Sequence, residues 1–104
     1  MPGTLDGMTA IVTGSSKGIG YAIAEAMARE GANLVVTARD EAEVQAAAQQ
    51  LDRIGSGNVA AVRADVRQHQ DVRRMVEAAL DLGGVDVLVN NAGVGRFGTV
   101  DEMS

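Results

Sequence analysis

Apolar positions along this chain fall into two alternating kinds of segment. Thr9 to Thr13, Asn33 to Thr37, Val59 to Arg63 and Val85 to Val89 are short runs dominated by Val, Ile, Leu, Ala and Thr. Runs of that length and composition read as strands buried on both faces. Asp86 interrupts the last of them. The segments between repeat their apolar residues at helical spacing. Ile19, Ile23, Ala26 and Met27 form one stripe, Val44, Ala47, Ala48, Leu51 and Ile54 a second, and Val72, Met75, Val76, Ala79 and Leu80 a third. Gly31 is placed to stop the first helix. Asp40, with Glu43 three residues on, starts the second in the manner of a capping box. Gly55-Ser56-Gly57 is a turn, and the third helix runs from Gln68 to Leu82 before Gly83-Gly84.

The order β-α-β-α-β-α-β predicts an α/β fold, a doubly wound parallel sheet, for which the strand order 3-2-1-4 is assumed. Right-handed crossovers then put the first two helices on one face and the third on the other.

Composition narrows the chemistry. The chain has 104 residues, enough for one small domain, and no cysteine, which excludes disulfides, thiolate metal sites and a cysteine nucleophile. The formal charge of −5 is spread among both signs, unlike a general nucleic-acid surface. No apolar run approaches the roughly 18–20 residues that cross a bilayer, so a cytoplasmic protein is expected. The core must be built from aliphatic residues, because Tyr21 and Phe97 are the only aromatics. His69, the only histidine, falls on the polar side of its helix and reads as a solvated surface residue.

The candidate chemistry lies between the first strand and the first helix. Thr13-Gly14-Ser15-Ser16-Lys17-Gly18-Ile19-Gly20 spaces its glycines Gly-x-x-x-Gly-x-Gly. Glycines let the backbone approach a bulky anion, and the following helix turns its free N–H groups and positive dipole end toward it. A phosphate-bearing ligand is expected there.

This turn resembles the cofactor-binding turn of the short-chain dehydrogenase/reductase family. Asn90-Asn91-Ala92-Gly93 after the fourth strand resembles that family's Asn-Asn-Ala-Gly motif, and Asp65-Val66 after the third matches its adenine-contacting pair. The resemblance covers essentially the whole chain. It implies that residues 1–104 are the first, N-terminal part of a single NAD(P)-binding Rossmann domain. Gly14, Ser15, Ser16, Gly18, Ile19 and Gly20 would surround the pyrophosphate and adjoining ribose. The Asp65 carboxylate would accept from the adenine amino group and the Val66 N–H would donate to a ring nitrogen. Asn91, Ala92 and Gly93 would line the far side of the cofactor. Asn90 is assigned to tying the fourth strand to its neighbours.

The end of the second strand decides between cofactors. An NAD site usually carries an acid there for the ribose 2′-hydroxyl. Here the position is Ala38, followed by Arg39, with Lys17 in the glycine turn. Two cations suit a 2′-phosphate, so NADP(H) is expected over NAD(H). Asp40 is the competing ribose acid if the register slips by two.

The family's catalytic Ser, Tyr and Lys lie downstream of Asn-Asn-Ala-Gly, so no catalytic residue is assigned here, and no metal ligand. Tyr21 has Ala24 and Glu25 where a Lys would be needed. The resemblance therefore implies the cofactor half of an oxidoreductase acting on a small carbonyl or alcohol substrate. The 104 residues are expected to be a fragment, not competent alone, with an apolar fourth-strand edge. The alternative is a non-catalytic nucleotide-binding module. Substrate and oligomeric state are not legible. Gly95 to Gly98, with Arg96 and Phe97, reads first as a mobile surface loop, with the border of a substrate pocket as the alternative.

Overall fold

The computed structural model describes residues 3–91. Seven elements follow one another: β1 (Thr9–Val12), α1 (Gly18–Arg29), β2 (Asn33–Ala38), α2 (Glu41–Ile54), β3 (Val59–Arg63), α3 (His69–Asp81) and β4 (Val87–Val89). All strand pairings are parallel, as expected from the alternation, and the sheet order is the expected β3-β2-β1-β4.

Two cores flank the sheet, because alternate residues of a strand point to opposite faces. On one side Ala10, Val12, Leu34 and Val36 meet Ala24 and Ala28 of α1 and Val44, Ala48 and Leu51 of α2. On the other, Ile11 and Val35 meet Met75 and Ala79 of α3. Burying one such leucine fully contributes about 1.5–3 kcal/mol. Alanines dominate the α1 interface, which lets that helix lie close to the strands.

β4 is shorter than expected. Asp86 accepts from the Thr9 N–H at 2.9 Å through its side chain and donates its own N–H to the Thr9 carbonyl at the same distance. It therefore pins the entry to the strand rather than lying within the regular ladder.

Two of the three helical stripes are rotated from expectation. Along α1 the buried residues are Gly20, Ala24 and Ala28; Ile23 and Met27 are half-buried, Ala26 is exposed, and Ile19 is 72% exposed. Close helix–sheet packing selected the small residues, whereas the periodicity had weighted the large ones. Along α3, Met75 and Ala79 are buried, but Val76 is 38% and Leu80 61% exposed. The cause is position: α3 packs on β1, β2 and β3 and makes no contact with β4. Leu88 of β4, paired with Ile11 on that same face, is 62% exposed. A Leu80→Lys substitution should therefore shift unfolding stability in urea by no more than about 0.5 kcal/mol, the usual range for a surface change. A larger loss would restore Leu80 to the core.

Candidate functional site

The register brings four loops to one edge. Val12 pairs with Val36 and Val89, and Ala38 pairs with Arg63. The chain thus leaves β1 at Thr13-Gly14, β2 at Arg39, β3 at Ala64-Asp65 and β4 at Asn90-Asn91 along the carboxyl edge of the sheet. Ligands of open parallel sheets bind outside that edge, where the connections part to opposite faces.

The turn after β1 is built on three glycines with different duties. Gly14 (φ 62°) and Gly18 (φ 65°) occupy the left-handed region, which costs a side chain-bearing residue roughly 1–2 kcal/mol. Gly20 is required for space. A Cβ there would fall far inside van der Waals distance of the Gly14 carbonyl oxygen and 2.8 Å from the Asn91 amide nitrogen.

Ser15 lies fully buried beneath the turn. Its hydroxyl donates to the Val12 carbonyl at 2.7 Å and accepts from the Thr37 N–H at 2.9 Å, while its own N–H donates to the Thr37 carbonyl at 2.8 Å. It fastens the turn to the ends of β1 and β2, leaving Ser16, Lys17, Gly18 and Ile19 on the open side, all half-buried or exposed.

Helix α1 begins bare. Its N-cap, Lys17, offers no side-chain hydrogen bond and its first turn contains no acid. The N–H groups of Gly18, Ile19 and Gly20 have no acceptor among the described residues. The α2 start differs, since Asp40 caps it through the Glu43 N–H at 2.9 Å and Glu41 and Glu43 supply first-turn charge. An anion is therefore favoured over the α1 terminus, by orphan donors and dipole alike. The capping also commits one Asp40 oxygen, which favours the expected role over that of a ribose acid.

At the end of β2, Ala38 is buried and Arg39 exposed. Arg39 makes no ion pair among the described residues. Its charge reaches Asp65, whose carboxyl lies well below the usual range. The main cause is the Arg67 side chain: Nε donates to Oδ1 at 3.0 Å and an Nη donates to Oδ2 at 2.8 Å. The Arg67 N–H adds a further bond to Oδ1 at 3.0 Å. Each carboxylate oxygen can accept more than one bond, so Oδ2 keeps capacity for another donor. The Val66 N–H has no acceptor among the described residues.

The β4 end closes the site from the other side. The Asn91 N–H donates to Thr13 Oγ1 at 2.9 Å, and its side-chain amide donates to the Gly14 carbonyl at 3.2 Å. Thr13 Oγ1 also lies 3.2 Å from Asn90 Oδ1. Asn90 ties strands as expected, and Asn91 ties the glycine turn as well. Ala92 and Gly93, like Arg96 and Phe97, lie outside the described residues.

Three contacts escaped sequence reasoning: the buried Ser15 strut, the Arg67 clasp and the reach of Glu43 to Ser16 and Lys17. Only the clasp had a local signal, because an Asp bonding the N–H two residues on is a common turn. His69 is exposed at the start of α3. Among the described residues no His, Cys, Asp or Glu group could hold a metal ion, and no helix is long and apolar enough to cross a membrane.

The profile of the short chain dehydrogenase family matches residues 8–104, and the chain belongs to that family. An uncharacterised oxidoreductase of Methylorubrum extorquens is 46% identical over 102 residues, covering 96% of this chain and 41% of the relative. Oxidoreductase UcpA of Salmonella typhimurium is 44% identical, with coverages of 98% and 38%. Among solved structures, L-sorbose reductase of Gluconobacter frateurii complexed with NADPH and L-sorbose superposes with a TM-score of 0.83 at 41% identity, covering all of this chain and 40% of the reductase. An actinorhodin polyketide ketoreductase with NADPH gives 0.77 at 37% identity, covering 83% of this chain and 33% of the ketoreductase. The chain thus spans about a third to two fifths of the length of these relatives.

Proposed function

We propose that this chain is the cofactor-binding part of an NADP(H)-dependent oxidoreductase acting on a small carbonyl or alcohol compound. The observation that carries the cofactor choice is the end of β2: buried Ala38 offers no acid, and exposed Arg39, unpaired among the described residues, stands on the same edge as the bare α1 terminus. The NADPH complexes of L-sorbose reductase and the polyketide ketoreductase support it by likeness.

The donor set fits a dinucleotide. The N–H groups of Gly18, Ile19 and Gly20 would bind the pyrophosphate, and Ser16 would contact it or the adjoining ribose. Gly14 and buried Ser15 would hold the turn in shape from below. Arg39 and Lys17 would take the 2′-phosphate, Arg39 as a two-pronged donor. Asp65 and the Val66 N–H would receive the adenine. Asn91 would fix the turn and, with Ala92 and Gly93, border the cofactor's far side. When bound, the nicotinamide exchanges a hydride with the substrate carbon.

Affinity should depend on pH in a way that separates the two cofactors. Asp65 is held below its ordinary value of 3.8, so its stabilising pair is complete above about pH 4 and is lost only as pH falls further toward the lowered value. It does not titrate between pH 5 and 8. A phosphate monoester does, with a second pKa near about 6. NADPH affinity should therefore weaken as pH falls from 7.5 to 5.5, while NADH affinity stays flat. Calorimetric titration of both cofactors across that range tests the reading. An equal pH response for both would refute the 2′-phosphate site.

A further inference from the structure

Glu43 is not spent where its position in the helix would put it. In a capping box its carboxylate would return to the N–H of the capping residue, Asp40. Instead Oε1 lies 3.4 Å from the Ser16 hydroxyl and Oε2 lies 3.7 Å from Lys17 Nζ. Both side chains of that ion pair are open to water, 80% for Lys17 and 47% for Glu43. Pairs so exposed add little to stability. What the contact does is place a negative charge against two residues of the glycine turn.

We propose that Glu43 is a specificity-determining residue that competes with the cofactor's 2′-phosphate for Lys17 and Ser16. The proposal rests on the NADP(H) reading above. A phosphate that arrives at Lys17 must displace the carboxylate or bind beside it, and like charges a few ångströms apart repel even in water. Room for displacement exists. Glu43 lines an open groove of about 450 Å³ between α1 and α2, whose wall also includes Tyr21 and Gln50. NADH carries no 2′-phosphate and meets no such competition. Glu43 thereby holds down the preference that Arg39 and Lys17 create, and it keeps Lys17 paired before the cofactor arrives.

The test compares wild type, Glu43→Gln and Glu43→Lys by calorimetric titration with NADPH, NADH, 5′-ADP and 2′,5′-ADP. Glu43→Gln should tighten NADPH and 2′,5′-ADP about three- to tenfold and leave NADH within about twofold. Glu43→Lys should tighten the first two further. Removing a first-turn acid slightly lowers helix stability, so a rise in affinity alongside a small fall in melting temperature is a signature that a structural role would not give. If wild type prefers NADPH but neither variant changes or improves its binding, the competition is refuted and the cofactor reading stands. If wild type binds NADPH and NADH alike and 2′,5′-ADP no better than 5′-ADP, both fall together.

Discussion

Gly20→Ala should abolish measurable binding of NADPH and NADH alike, a loss of more than about a hundredfold, and should lower unfolding stability by about 3 kcal/mol. Helix propensity alone favours alanine over glycine by about 1 kcal/mol. Steric overlap opposes it and wins. The new methyl group meets the Gly14 carbonyl and the Asn91 amide nitrogen, both part of the turn's own bracing. Backbone cannot swing aside as a flexible side chain can, so α1 must shift from the turn and the Asn91 bond must lengthen or break. Titration with each cofactor and urea denaturation read the two effects. Wild-type affinity in this variant would show that the bare α1 terminus is not where the dinucleotide binds.

Arg39→Ala should separate the cofactors that Gly20→Ala does not. NADPH affinity is expected to fall about ten- to a hundredfold, corresponding to about 1.5–3 kcal/mol for a hydrogen-bonded charge, with NADH within about twofold. Arg39 is exposed and unpaired among the described residues, so its removal should leave the fold intact. Equal losses for NADPH and NADH would assign Arg39 to a part of the cofactor that both share. The pair of variants thus divides the edge into a general dinucleotide cradle and a phosphate-selecting corner.

The sheet was readable because its signals are local. Asn33 to Thr37 has no alternative to a buried strand, and Asp40 with Glu43 marks a helix start that the structure places there. Handedness assigns the helices to faces once the order 3-2-1-4 is assumed, but alternation alone does not choose that order over 2-1-3-4. The helical faces were only partly readable. Stripes drawn through Ile19 and Leu80 favoured bulky residues, but burial depends on which strands lie beneath each helix, a tertiary fact. The site divides in the same way. Arg39 and the glycines announce themselves in sequence. The buried hydroxyl of Ser15 and the reach of Glu43 across to Lys17 depend on elements more than twenty residues apart.

The bond from Asn91 to the Gly14 carbonyl joins residues 77 positions apart. Closing a flexible loop of that length costs on the order of 4 kcal/mol of chain entropy, so this contact is expected to form only once β1, β2 and β4 have come together. The glycine turn is therefore not a self-contained cradle that works as soon as it is synthesised. A ribosome adding roughly 5–20 residues per second completes α1 several seconds before it delivers Asn91. During that interval the emerging chain has the glycine turn without the Asn91 brace that sets its shape. On the proposed reading, cofactor capture would come near the end of this segment's synthesis, and a bound dinucleotide would in turn reward the finished alignment of its first and last strands.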